Sequence, residues 1–189
     1  MSFLKKNSYE IVRLFIIQIG MMIFSFIVST AAVQVYDKNT KTAHLVVCLF
    51  AVIFYLFVIY TTMWNVGLAR SERVANGHER DDKLYGGKIA LFANLPNLFL
   101  CFLMAIGLLR LVFNNSFFIG LFGVSRLLEG VLNANYLGIV NYLSSSDNYL
   151  LITALSVLSV LPSILVSQVA CRLGEKNIRL TRATPPSKE

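Results

Sequence analysis

Four stretches of this chain are long and apolar enough to cross a lipid bilayer as helices, and none contains Asp, Glu, Lys or Arg. They are Leu14–Val35, Leu45–Val66, Ile89–Leu109 and Tyr149–Cys171. A hydrocarbon core about 30 Å thick is crossed by about 20 helical residues. Inside it each backbone N–H and C=O must be bonded within the chain, which favours helices for segments of this length. A soluble domain of 189 residues has too little interior to bury four of them. The expected fold is therefore all-α, an integral membrane helix bundle of four transmembrane helices. Composition agrees, with 56% hydrophobic and 14% charged residues, where soluble domains carry about 25% charged. The connections are short. One polytopic membrane domain is expected over residues 1–173, followed by a basic tail over 174–189 with the character of a disordered segment.

The formal net charge is +7, and its placement matters more than its size. The N-terminal segment, the second loop and the tail hold thirteen of the Lys and Arg residues, and the first and third connections hold four. Short-loop Lys and Arg stay on the cytoplasmic side. Both termini are thus expected in the cytoplasm, with the chain in the plasma membrane. The basic excess is accounted for by topology and by anionic headgroups. No base-reading motif accompanies it, so nucleic acid is not an expected partner.

The first span resembles a secretory signal. Lys5 and Lys6 precede an apolar run, and Ser29-Thr30-Ala31 could be cut. The run continues through Ala32, Val33 and Val35, longer than the apolar part of a signal peptide, so retention is expected. Tyr60 and Trp64 fall near the inner end of the second span, and Tyr36 and Tyr149 at outer ends. Rings of this kind prefer the headgroup level. Cys48, Cys101 and Cys171 all lie in spans and make neither a disulfide framework nor a metal knuckle. Cys171, at an inner helix end, is a candidate for acylation. Asn114-Asn115-Ser116 matches the glycosylation acceptor pattern.

Polar residues inside apolar segments are the candidates for function. In the fourth span Ser156, Ser159, Ser163 and Ser167 share one helical face. Small residues let helix backbones approach, so this face packs inside the bundle or receives a partner. Ser25 and Ser29 in the first span offer a shorter matching series. Pro162 should kink the fourth span, and Pro96 should bend the third. Asn94 and Asn97 flank Pro96 and face the same way. They bond to neighbouring helices around the bend or line a polar cavity.

Residues 116–143 form a fifth apolar segment carrying Arg126, Glu129, Asn133, Asn135 and Asn141. Arg126, Glu129 and Asn133 would align as one stripe on a helix. A full crossing would put the tail outside, against the charge count. An interfacial helix with the stripe toward water, or a re-entrant helix bent at Gly120 and Gly123, is expected instead. A charge held inside a membrane domain is costly and pairs or serves a pathway. Arg126 and Glu129 are an i,i+3 surface ion pair in the interfacial case and site residues in the embedded one.

The second loop, Arg70–Lys88, reads as a solvated segment in which a helix ends at about Ala75 and Asn76-Gly77 stops it. His78, Glu79, Asp81 and Asp82 match no metal-site spacing, so no metal is expected. Gly86-Gly87-Lys88 could offer N–H groups to a phosphate but lacks the full phosphate-loop pattern. His44 and His78 both lie outside the apolar cores of the spans, and no HExxH, GxSxG or intramembrane carboxylate pair occurs. Neither an enzyme nor a cofactor is expected. The first functional reading is a non-catalytic accessory or assembly subunit of a larger membrane complex. Besides the bilayer, it would contact a membrane-protein partner or a second copy. The alternative is a small transporter or substrate-binding transport subunit, with a cavity lined by Asn94, Asn97, Arg126, Glu129 and Asn133.

Overall fold

A computed structural model describes residues 3–35, 40–77, 82–113, 115–144 and 148–178. These residues form helices and no strand: α1 (Phe3–Lys6), α2 (Ser8–Val35), α3 (Thr40–Ala75), α4 (Tyr85–Ala93), α5 (Leu95–Gly107), α6 (Arg110–Phe113), α7 (Ser116–Leu132), α8 (Ala134–Leu143) and α9 (Tyr149–Glu175). Four stretches meet the length and hydropathy of a membrane crossing: Ser8–Ala31, Thr42–Ala75, Leu95–Phe113 and Tyr149–Glu175. Large apolar side chains such as Phe26, Ile53, Phe99 and Leu165 point outward, where lipid tails rather than water must cover them. The chain is a multi-pass integral membrane protein.

The bundle is built on the α3–α9 pair, which is held by glycine. A Cβ added to Gly67 would lie 2.1 Å from the Cys171 carbonyl oxygen, and one added to Gly174 would lie 2.1 Å from that of Trp64. The two backbones therefore touch directly, a geometry that small residues allow in membranes. α4 joins in the same way, with Gly86 set against Ser167 and Cys171. α2 lies on α3 and α4 through Leu14 and Met21, which share a core with Tyr55, Ile59, Met63, Tyr85 and Ile89. The start of α2, the end of α3, the start of α4 and the end of α9 meet at one end. There Tyr85 donates its hydroxyl to Asn7 Oδ1 (2.8 Å), and Arg70 pairs with Glu175.

Several sequence expectations need correction at this basic end. Arg70 is not a solvated loop residue. It is fully buried on α3, ion-paired to Glu175, with its guanidinium 4.3 Å from the Tyr85 ring centroid. Trp64 does not face outward from the bundle. It is buried and donates Nε1–H to the Ile178 carbonyl at 2.7 Å. Residues 174 and 175 belong to the last turn of α9 and are not yet irregular chain. α9 ends in a Schellman-type cap, with Asn177 in the left-handed region (φ 53°) and the Ile178 N–H bonded to Leu173 O at 2.9 Å. Residues beyond 178 lie outside the described set. The expected helix stop does occur at Ala75, with Gly77 at φ 73°.

The third span is two helices rather than one. α4 and α5 meet at Asn94 (φ −89°, ψ 5°), two residues before Pro96, which cannot donate to the preceding turn. α9, by contrast, continues as one helix through Pro162.

Residues 116–143 are also broken, at Asn133 (φ −108°, ψ 37°). α7 runs antiparallel to α5, with Phe122 against Gly107 and Asn133 against Asn97. α8 then runs antiparallel to α3. Ala134 O faces Cys48 Sγ, and Gly138 sits against the His44 carbonyl and Cys48 Sγ. As the chain advances along α8, its neighbour on α3 moves back toward Thr40. The α7–α8 hairpin therefore enters and leaves at the same end, opposite the basic end, with Asn133 at its inner tip. The stripe does not face water as expected of an interfacial helix, because Phe122, Ser125, Glu129 and Asn133 are buried in the bundle. The bend also falls at Asn133, not at Gly120 or Gly123, which stay helical.

Candidate functional site

Both helix breaks bring an asparagine to the middle of the bundle, and the two breaks meet. The Asn94 amide donates to Ala90 O (2.9 Å) and Ser163 Oγ (3.2 Å). Asn97 Nδ2 contacts Asn94 Oδ1 at 3.4 Å and donates to Asn133 Oδ1 at 3.1 Å. Asn133 Nδ2 donates to Glu129 Oε1 at 2.9 Å. A line of buried polar side chains thus runs from α9 through α4–α5 to the tip of the hairpin. Each link satisfies a group that would be costly to bury alone in apolar surroundings.

The line ends at a cavity of about 60 Å³ between the two arms of the hairpin and α9, lined on its polar side by Arg126, Glu129, Asn133, Tyr136, Asn141 and Ser156. That is room for about four water molecules. The arms themselves scarcely touch, because α7 rests on α5 and α8 on α3. Among the described residues three buried polar atoms here lack a hydrogen-bond partner: Ser156 Oγ, Tyr136 Oη and Asn97 Oδ1. Ser156 lies beside the Glu129 carboxyl but outside good hydrogen-bond geometry. Arg126 is half-buried and acts on Glu129 electrostatically, yet the two form no direct ion pair. The expected surface ion pair is therefore not what these residues make.

All five candidate cavity residues, Asn94, Asn97, Arg126, Glu129 and Asn133, belong to this one assembly. The serine face divides. Ser156 lines the cavity and Ser163 bonds Asn94, whereas Ser159 and Ser167 donate back to the carbonyls of Ser156 (2.7 Å) and Ser163 (2.7 Å). All four serines are buried within the chain, so this face is taken up by internal packing and is not open to a partner. Tyr136 and Asn141 were not among the candidates. They lie on α8, beyond the break, where the helical stripe of α7 no longer predicts direction.

Other candidate positions are already engaged. The Gly87 N–H donates to Gln168 Oε1 at 2.8 Å, so it is not offered to a phosphate, and Lys88 pairs with Asp82 at 2.7 Å. Cys171 is buried against α3 and α4, away from an acylating enzyme. Ser25 and Ser29 do not meet the α9 serines. They line a separate open groove of about 400 Å³ between α2, α3 and α8, together with Thr30 and His44. Among the described residues no group of three or more His, Cys, Asp or Glu is placed to hold a metal. His78, Glu79, Asp81 and the acceptor Asn114 lie outside the described residues. No family model, curated protein or solved structure matches the chain.

Proposed function

We propose that this membrane protein binds a small polar solute at the tip of the α7–α8 hairpin, as a small transporter or the binding subunit of one. The observation that carries this reading is the partly open cavity where the α4–α5 break meets the hairpin tip, with Arg126 and Glu129 on its wall and three unpartnered polar atoms in or beside it. Pairs of broken helices recur at the binding sites of membrane transporters, because irregular backbone is tolerated only where protein or a cavity satisfies it. A purely structural polar core would have its groups paired. The accessory-subunit reading loses its main support, since the serine face is filled from within.

In this reading α7 and α8 form a re-entrant hairpin and the four long helices span the plasma membrane. The basic end faces the cytoplasm, as the excess of Lys and Arg there favours. The cavity then lies on the outer side of the polar line, with Asn97 and Asn94 leading inward. The test is a thermal-shift screen of the purified protein in nanodiscs against a library of small polar metabolites, run beside Asn133→Ala. At least one compound should raise Tm saturably for the native chain and not for the variant. A library without a single such compound would sink the reading.

A further inference from the structure

Resting on the solute-binding reading, we infer that the hairpin cavity takes a small zwitterion, an α-amino acid the size of glycine, with its carboxylate toward Arg126 and its ammonium toward Glu129. Two opposite charges line one small cavity, one helical turn apart on α7. Side chains at i and i+3 have their Cβ atoms about 5–6 Å apart and readily pair. These two do not. Among the described residues half-buried Arg126 has no hydrogen-bonded or ionic partner, and Glu129 Oε1 accepts the neutral amide of Asn133, with the Ser156 hydroxyl beside the carboxyl. Each is left with unspent capacity facing the same space.

The remaining groups are matched to the two ends of such a solute. The Ser156 and Tyr136 hydroxyls are buried, unpartnered and on the cavity wall. A hydroxyl both donates and accepts, so either can serve a carboxylate or an ammonium. An anion alone would be repelled by Glu129, and a cation alone by Arg126. A zwitterion pairs with both charges and leaves the net charge of the site unchanged. Size sets the upper limit. A space for about four water molecules admits about five non-hydrogen atoms. The apolar side of the wall, Leu137, Val140 and Ile152, suits the unsubstituted α-carbon.

The test uses the full chain in nanodiscs and three probes of similar size: glycine, acetate and methylamine. Binding is read by isothermal calorimetry and by Tm. Glycine should bind saturably and raise Tm by about 5 °C or more at a hundred times its Kd. Acetate and methylamine should do neither at the same concentrations. Arg126→Gln and Glu129→Gln should each weaken glycine at least tenfold. Each must still elute as a monodisperse peak, and Arg126→Lys should recover part of the affinity if its charge is what counts. Glycine binding that both Gln variants retain would place the ligand elsewhere and overturn the inference. Binding of acetate or methylamine as tight as that of glycine would also overturn it, while leaving a polar-solute site standing. No binding of any probe, alongside hits of another class in the metabolite library, would overturn the zwitterion alone. Silence in both would remove the solute site with it.

Discussion

The α3–α9 crossing should be intolerant of a single methyl group. In Gly174→Ala the new Cβ would sit 2.1 Å from Trp64 O and 3.0 Å from the Leu68 nitrogen. In Gly67→Ala it would sit 2.1 Å from Cys171 O. All of these neighbours are backbone, so no rotamer change relieves the contact. Ordinary carbon contacts lie at about 3.5–4.0 Å, so the helices must part by roughly 1 Å or more at the crossing. Overpacking of this kind costs about 1–3 kcal/mol, and a backbone obstacle belongs at the upper end. Alanine returns about 1 kcal/mol through helix propensity. The net loss is about 2 kcal/mol, or a Tm lowered by roughly 4–8 °C for a chain of this size. Melting in nanodiscs, followed through the fluorescence of the single tryptophan, Trp64, reads it directly. Gly120→Ala and Gly123→Ala are the controls, because nothing lies within 4 Å of a Cβ at either position. They should melt at or above the native Tm. The Gly67→Ala, Gly174→Ala double variant should lose less than the two single losses together, since helices already parted by one methyl admit the next more cheaply. If both single variants melt within a degree of the native chain, direct backbone contact is refuted.

Three other outcomes follow from the packing and charge of the basic end and the spans. Glu175→Gln removes the carboxylate that pairs with the buried Arg70 guanidinium, which should show as a fall in Tm. Cys48, Cys101 and Cys171 are free and buried, so a maleimide should label none of them in the native protein and all three after denaturation. Asp82 is hydrogen-bonded by Lys88 and by the Leu84 N–H, and this lowers its pKa below the ordinary value. The resulting stabilisation is present at neutral pH and fades as pH falls below about 4. The pair is largely exposed, so Asp82→Asn should cost under about 1 kcal/mol. Tm of native and variant should converge in acid; a constant gap across pH 3–7 would contradict the assignment.

The spans could be read in advance because length and hydropathy need no knowledge of neighbours. The stop at Gly77 could be read because a left-handed residue after a helix is a local requirement. The inward stripe of Arg126, Glu129 and Asn133 was legible as a stripe, but its direction was not. Whether it faces water or the bundle depends on Asn97, thirty-six residues from Asn133 in the chain. The break at Asn133 has no glycine or proline to announce it. Arg70 looked like a loop residue because its partners, Tyr85 and Glu175, are remote in sequence. Serine spacing found the right face of α9. It could not tell Ser156 and Ser163, which serve the polar assembly, from Ser159 and Ser167, whose hydroxyls are spent on their own helix.

The hairpin also fixes an order of biogenesis. Its arms have 17 and 10 residues, each short of the length that partitions into a bilayer unaided. An arginine at the middle of an inserting helix costs about 2.5–3.5 kcal/mol, and α7 carries a glutamate besides. The hairpin must therefore be received by helices already in place: α5 for one arm and α3 for the other, both translated earlier. The remaining wall, with Ile152 and Ser156, belongs to α9, which follows the hairpin in the chain. Until α9 docks, Glu129 stands open to lipid on one side. A chain truncated before Tyr149 would leave that carboxyl uncovered, so the docking of α9 closes the wall that the hairpin alone leaves open.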